Sequence, residues 1–577
     1  MKKTGAELLV YALEQIGVQY TFGIPGVHNT EIYDQLNSSN QIEPILVTHE
    51  AAASFMGLGV SCTSKSIGTI VIVPAAGVTN AMSGIGEAFL DGIPLLVISG
   101  GTRRDTGKSY QLHQLNHEKL VQAITKKYYL IENHDQIISK VYESYNEAIN
   151  GEPGPVFIEV PVEIQLFRGD VNEMPPYLPP KKTATFGKDQ IKKVVELLTS
   201  AKNPGIYVGW GAVDAIEYTI DIAEQLSAPV CTTLQGKSAF PASHPLHTGF
   251  GFGPNAVPAS QKAFKNIDLM LAVGVRFSEI GTGSYGAKVP ENLIHIDINP
   301  DVFNKNYKAT LSIEGDASEV LKLIAEELKK SEKVKKNDNK IEEQIKTEKQ
   351  DYTKEWKKEK KNDIVSPGYF FESLEKYTDA DTFIVVDDGL HTYLSAELMP
   401  IEKGRHFISP TDFNCMGFCV PAAIGVKLMN NDKKVIGIVG DGAFMMTGIE
   451  LITAVTQNLP ILYFVFHDGE LGQIAQFQEI PLNRKTATVI GDLNLNGIAE
   501  GVGAHFVSID NDFEIDEKIQ VAFDLSNDNL PVLVDVKIDY TKKTFMTKGV
   551  VKTNLNRFPL SEKLRFISRS IKRHLLG

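Results

Sequence analysis

The chain has 577 residues, more than one hydrophobic core normally serves, so about three to four domains are expected. With 43% apolar and 22% charged residues it has the composition of an ordinary soluble globular protein, and its formal net charge of −13 argues against a nucleic-acid partner, which needs clustered Lys and Arg. The four cysteines, Cys62, Cys231, Cys415 and Cys419, form no CxxC pair; they suggest neither a disulfide framework nor a zinc site and suit a reducing cytoplasm.

The opening stretch "MKKTGAELLVYALEQIG" reads as an amphipathic helix and lacks the continuous apolar core of a signal peptide. No apolar run approaches the roughly 20 residues of a membrane helix. The runs "YTFGIPG", "EPILVTHE", "SIGTIVIVPAAG" and "IPLLVISGG" are short, β-branched and closed by Gly or Pro or an abrupt polar turn, as buried parallel strands are. Helical patterns between them predict βαβ units and a doubly wound sheet over 1–172. The Pro-rich "MPPYLPPKK" at 174–182 reads as a linker. A second α/β set occupies 187–330, and the Lys- and Glu-dense 331–364 reads as a solvated helical connector. A third set, 365–545, runs from "TFIVVDDGLHT" through "VIGIVGDGAF" and "ILYFVFHDG" to "PVLVDVKID", leaving a tail at 546–577. The fold class is therefore α/β, with three doubly wound parallel-sheet domains.

The stretch from Gly440 to Gly472 carries the sharpest chemistry. "KVIGIVGDGAF" is a strand entering a turn, where Gly440 and Gly442 permit close backbone approach to a ligand. Asp441 falls at the strand's carboxyl end, where open parallel sheets bind ligands. "TGIELITAVTQN" predicts a helix ended by Asn458 and Pro460. "ILYFVF" is the next strand and brings His467–Asp468–Gly469–Glu470 to the same edge. Asp441 and Asp468 can then share a hard cation such as Mg²⁺, with phosphate oxygens completing its shell.

This pattern resembles the thiamine-diphosphate motif of the thiamine-dependent 2-oxo acid enzymes. The resemblance implies Mg²⁺ bound by Asp441, Asp468 and the carbonyl of Glu470, and cofactor contact from Gly440, Gly442 and Ala443. That family usually has Asn where this chain has Asp468; Asp is an equally good oxygen ligand. "ILVTHEAAASFMGLG" resembles the segment with the catalytic glutamate, so Glu50 is expected to hydrogen-bond the cofactor's aminopyrimidine and promote deprotonation of the thiazolium C2. A carboxylate at a helix start would also serve as a cap. "TDFNCMGFCVPAAIGVK" resembles the segment whose bulky residue, here Met416, wedges the cofactor into its bent shape. The Asn414 carbonyl would take an aminopyrimidine proton, and Gly389, Leu390 and His391 match a loop on the diphosphate. One chain of that family supplies the glutamate and another the diphosphate site, which implies a homodimer or homotetramer.

The match covers nearly the whole chain and is most like the acetolactate synthase catalytic subunit, through "GIPGVHNTEIYDQL", "TTLQGKSAFPASHPLHTG", "VGVRFSE" and "IHIDINPD". It implies a decarboxylating carboligase acting on pyruvate or a related 2-oxo acid, with His113 and Gln114 as further catalytic candidates; His28, in "PGVHNT", is a third candidate that would either contact substrate or cap the turn. His113 stands where that group has Phe, and Phe477 where plant and fungal forms have Trp. FAD stays open. Gly209, Gly211, Thr233, Leu234, Gly274, Arg276 and Asp297 match FAD-contacting stretches, while Trp210 and Ile280 depart from them. Two other readings stand beside this one. A 2-oxo acid decarboxylase or C–C lyase or hydrolase would use the same scaffold. A non-catalytic subunit is disfavoured by the presence of Glu50, Asp441 and Asp468. In the tail, Leu560, Leu564, Ile567, Ile571 and Leu575 share one helical face among basic residues. Packing on the chain's own acidic body, or over the active-site mouth, is preferred there over contact with a membrane surface.

Overall fold

The computed structural model describes residues 1–180, 185–331 and 339–576. The last two residues of the Pro-rich linker, residues 332–338 of the charged connector and Gly577 lie outside the described residues. Three six-stranded sheets follow one another along the chain, and every strand pairing within them is parallel.

The first and third sheets have the same topology. In space the first runs Glu43–Leu46, Tyr20–Gly23, Gly68–Ile72, Leu95–Gly101, Pro155–Pro161, Lys127–Leu130. The third runs Phe407–Ile408, Phe383–Val386, Val435–Gly440, Leu462–His467, Val532–Lys537, His505–Ile509. Numbered within its own sheet, each reads 2-1-3-4-6-5. The middle sheet reads 3-2-1-4-5-6, the order of dinucleotide-binding folds. Each order reverses direction beside its first strand, and loops leaving the strand ends there splay apart into a crevice. In the first sheet the crevice lies between the strands ending at Gly23 and Ile72, and in the third between those ending at Val386 and Gly440. In the middle sheet it lies between those ending at Val208 and Val273.

One apolar core joins the first and third units. The helices Glu50–Thr63 and Cys419–Met429 pack on each other, with Phe55, Met56, Phe418, Val420 and Ile424 buried between the sheets. They approach closely because glycines face the crossing. A Cβ on Gly59 would lie 2.2 Å from the Ala422 carbonyl oxygen, and one on Gly425 2.0 Å from that of Met56. Arg405 ties all three units, with a bidentate pair to Asp214 at 2.6 and 2.7 Å, a bond to the Cys62 carbonyl at 3.0 Å and its guanidinium over Trp210.

Several local expectations need correction. Lys2–Thr4 is a short strand, antiparallel to Arg168–Asp170, and the first helix begins only at Gly5, where Thr4 and Glu7 form a reciprocal capping box. The helix after Gly440 starts at Asp441 and not at the following Thr-Gly; it runs Asp441–Thr447, tightens through Gly448–Glu450 and continues as Leu451–Thr456. The charged connector does form a helix, Lys340–Trp356, yet Ile345, Tyr352 and Trp356 on one face are buried, so it is a packed element and not a solvated strut. The tail forms two helices, Phe545–Arg557 and Leu560–Leu576. Among the described residues no helix is long and apolar enough to cross a membrane.

Candidate active site

At the crevice of the third sheet, Asp441 is buried and heavily hydrogen-bonded. Oδ1 accepts from the Gly442 N–H at 2.7 Å; Oδ2 accepts from the Gly469 N–H at 2.7 Å and the Asp468 N–H at 3.2 Å. The strand ending at His467 thus delivers Asp468 against Asp441, as the spacing requires. Burial raises the Asp441 carboxyl above its usual range. It pushes Asp468 up to about 7, with the neighbouring Asp441 charge as second cause. Two half-desolvated carboxylates facing each other are what a divalent cation relieves. Among the described residues no cluster of three or more His, Cys, Asp or Glu could hold a metal. An ion here therefore depends on the pair, a backbone carbonyl and oxygens brought by a ligand, which is how Mg²⁺ is held beside phosphates. The Glu470 side chain turns away to Lys485 at 2.7 and 2.9 Å, leaving only its carbonyl for such a role.

The neighbouring loop comes from the sheet's first strand. Gly389, with φ of 153°, opens the helix Leu390–Leu398. His391 is buried, and its Nε2 accepts from the Gly440 N–H at 3.3 Å. Burial holds this imidazole down to about 3, so it stays neutral and braces the turn from beneath. A Cβ on Gly440 would sit 2.9 Å from the ring, which is why that position tolerates no side chain. Leu390 and Ala443 are buried beside them, and Met416 lies near Gly442, whose Cβ would meet the Met416 methyl at 3.8 Å. Asn414 adopts the left-handed region, with φ of 66°.

The loop bearing Asn414 and Met416 is held by three acids that the motif reading missed. Asp387 is fully buried; it accepts from the N–H groups of Asp388 and Gly417 at 2.9 Å each and of Cys419 at 2.7 Å. Burial still pushes it up to about 7. From the first unit, Glu87 accepts from Cys415 N–H at 2.9 Å and Thr411 N–H at 3.2 Å, and Asp91 accepts from Asp412 N–H at 2.9 Å and Thr411 N–H at 3.1 Å. Both carboxyls are raised, chiefly by burial. The signal in the sequence was two acids four apart on an otherwise uncharged helix, Ala76–Asp91.

At the crevice of the first sheet, Glu50 opens the helix Glu50–Thr63 but does not cap it; His49 does, through Nδ1 accepting from Ala51 N–H at 3.2 Å. Glu50 is buried, with Oε2 accepting from Asn80 Nδ2 at 2.9 Å and Oε1 over Gly77. Thr48, two residues earlier, donates its N–H and hydroxyl to Glu450 of the third unit. His28 and His113 come together in the same unit, with ring centroids 5.0 Å apart, and both Nδ1 atoms are buried without a hydrogen-bond partner. His113 has φ of 64°, and burial followed by the His113 charge lowers His28. Gln114 is exposed and its Oε1 accepts from Gln111 N–H at 3.0 Å. Within one chain, no hydrogen bond, ion pair or ring contact among the described residues joins the Glu50 cluster to the Asp441 cluster.

Family models match all three units: the thiamine pyrophosphate enzyme N-terminal TPP binding domain at residues 3–120, the central domain at 191–324 and the C-terminal TPP binding domain at 387–536. The chain is 30% identical over 555 residues to acetolactate synthase isozyme 3 large subunit of Escherichia coli K12, covering 94% of this chain and 96% of that one.

The chain belongs to the thiamine pyrophosphate enzymes.

Its likeness to acetolactate synthase large subunits extends beyond one lineage. The probable acetolactate synthase large subunit of Methanocaldococcus jannaschii is 32% identical over 556 residues, covering 93% of this chain and 92% of its own. The Corynebacterium glutamicum large subunit is 30% identical over 550 residues, covering 92% of this chain and 86% of its own. As a thiamine pyrophosphate enzyme, the chain places its two TPP-binding units on sheets of one topology, with the middle unit between them in sequence.

Proposed function

We propose that the protein is a thiamine-diphosphate-dependent carboligase of the acetolactate synthase type, joining a 2-oxo acid such as pyruvate to a carbonyl acceptor. The observation that carries this is the pairing of two crevices on matching sheets. One holds the buried Glu50–Asn80 pair and the other the Asp441–Asp468 pair. Thiamine diphosphate, when bound, supplies a carbon acid that becomes the nucleophile and a sink for the electron pair released on decarboxylation.

The residues would divide the remaining work. Asp441, Asp468 and the Glu470 carbonyl hold Mg²⁺, and the helix start at Asp441 with the loop Gly389–Leu390–His391 faces the diphosphate. Gly440 and Gly442 keep that approach free of side chains, and Ala443 floors it. Met416 and the Asn414 carbonyl shape the cofactor's middle, on a loop fixed by Asp387, Glu87 and Asp91. Glu50 holds and returns a proton at the aminopyrimidine, oriented by Asn80. His28, His113 and Gln114 line the place of the 2-oxo acid. The glutamate of one subunit would serve the diphosphate site of a partner; within one chain no hydrogen bond, ion pair or ring contact among the described residues joins the Glu50 and Asp441 clusters. The protein is then a homodimer or a homotetramer built from such dimers. Exposed Met445, Met446, Ile449 and Ile452, beside the Asp441 turn, would be covered in that assembly. The chain divides functionally at the boundaries read from the sequence: 1–172 for the pyrimidine end, 187–330 centrally, and 365–545 for the diphosphate and metal.

FAD is proposed for the middle unit's crevice. A cavity of about 580 Å³ lies there, lined by Trp210, Gly211, Thr233, Leu234, Gly274, Arg276 and Asp297. Asp297 ends the sheet's fifth strand at its carboxyl edge and lines this cavity; burial pushes it up to about 6. Arg276 and Arg405 are already paired with Glu152 and Asp214, so backbone N–H groups would carry a diphosphate. A flavin absorption spectrum on the purified protein tests this.

A second reading is favoured by the unpaired Nδ1 atoms of His28 and His113. A proton delivered from them before the acceptor arrives would release an aldehyde, making the protein a 2-oxo acid decarboxylase or C–C lyase. Incubation with thiamine diphosphate, Mg²⁺ and pyruvate, with products identified by mass and NMR, separates the two. Acetolactate supports the carboligase. Acetaldehyde alone supports the second reading. Absence of turnover across a panel of 2-oxo acids, with cofactor bound, refutes both.

A further inference from the structure

We propose that the C-terminal helix Leu560–Leu576 is a docking surface for an anionic lipid bilayer. This helix is mounted with its apolar stripe outward. It is fixed to the helix Gly472–Leu482 through Ser570, whose hydroxyl donates to the Ile480 carbonyl at 3.0 Å, and through Arg573, whose guanidinium donates to the Leu482 carbonyl at 3.2 Å. Asn483 donates back to the Arg573 carbonyl at 2.9 Å. Phe566, on the same face, is half-buried between Phe558, at a centroid distance of 5.1 Å, and the Arg569 guanidinium, 4.3 Å above its ring. Phe566, Ser570 and Arg573 are spaced four and three apart and make one face, so the body-facing side of the helix is already satisfied.

The stripe faces elsewhere. Leu560, Leu564, Ile567, Ile571 and Leu575 recur at four, three, four and four residues and are 38% to 77% exposed. They form a line about 22 Å long at 1.5 Å per residue. A stripe packed on the body, as the sequence led one to expect, would be buried; this one is not. By helical periodicity Lys563 borders one edge, and Arg565 and Lys572 the other. Residues 542–577 contain ten Lys and Arg and a single acid, Glu562, in a chain whose formal net charge is −13. That acid is paired with Arg565.

An apolar line edged on both sides by cations matches an interface with an apolar interior and an anionic rim. A bilayer of acidic phospholipids offers both at once: the side chains enter the acyl boundary while Lys and Arg stay at the headgroups. The acidic remainder of the protein would be repelled by the same surface, which leaves the tail as the point of contact.

The test uses the full chain, co-sedimented with vesicles of phosphatidylcholine alone or of phosphatidylcholine mixed with phosphatidylglycerol. Binding is expected to the mixed vesicles, to weaken with added salt, and to be feeble on phosphatidylcholine alone. The double variant Leu564→Glu/Ile571→Glu should bind the mixed vesicles at least about tenfold more weakly, with mass in solution and turnover unchanged. No binding of the wild type to the mixed vesicles, or equal binding by the double variant, overturns the proposal. A fall in oligomeric mass of the double variant overturns it too, and assigns the stripe to a second copy of the chain.

Discussion

Replacing Glu50 by Gln isolates the proton-handling step from binding. Its Oε2 is held at 2.9 Å by Asn80 Nδ2, and its Oε1 lies over Gly77, where even a methyl would come within 3.2 Å. The Gln oxygen can keep the Asn80 bond. The amide nitrogen then takes the place of Oε1, where it can donate a hydrogen bond but cannot take up a proton and give it back. The variant should lose only the acid–base contribution, about 10²- to 10⁴-fold in kcat, or ~3–5 kcal/mol of barrier. Thiamine diphosphate affinity, by titration calorimetry with Mg²⁺ present, should change by less than about threefold, since the side chain keeps its size and its orienting bond. Gly77→Ala is the companion. It leaves the carboxylate in place but crowds Oε1 at 3.2 Å and the Val73 methyl at 2.9 Å, displacing the group by a few tenths of an ångström. About a 3- to 10-fold loss in kcat is expected. Turnover in Glu50→Gln within tenfold of wild type would refute the assignment. Loss of cofactor binding in parallel with activity would reduce Glu50 to a structural residue.

Three further outcomes are expected. Asp441→Ala removes the proposed metal ligand and the acceptor for three N–H groups, so titration with Mg²⁺ and thiamine diphosphate should show affinity lowered at least about a hundredfold; tight binding would exclude the site. Glu87→Ala orphans the Cys415 N–H and leaves the Thr411 N–H to Asp91 alone, across the joint between the first and third units. It should cost ~1–3 kcal/mol by thermal unfolding and weaken cofactor binding, with Glu87→Gln recovering part of both. Lys237 is buried, which pushes its ammonium from 10.5 down to about 7. Between these values the unfolded chain binds more protons than the folded one, so this lysine makes stability rise with pH from about 7 towards 10.5. Lys237→Met should raise the unfolding midpoint at pH 7, by up to ~4 kcal/mol equivalent, and flatten that rise; an unchanged pH profile would contradict the burial.

Much of this protein is local, and local features are what a sequence carries. The alternation of short β-branched runs with amphipathic segments determined three parallel sheets, because a strand buried on both faces must be apolar throughout and must end in residues that turn. The Gly440–Asp441–Gly442 turn and Asp468 were legible for the same reason: a strand, a helix and a second parallel strand return the chain to one edge whatever surrounds them. Tertiary structure alone decided what stands around those motifs. Glu87 and Asp91 hold a loop more than 300 residues away, and Glu450 holds Thr48 across 402 residues. Neither partnership leaves a mark near either residue beyond an acid on an apolar face. The connector helix and the tail show the converse. The connector read only as charged and solvated, yet it turned an apolar face inward, burying Trp356; the tail's amphipathic pattern was plain in the sequence, yet its apolar face turned outward. Periodicity fixes that a helix has two faces; only the elements packed beside it fix which one meets solvent.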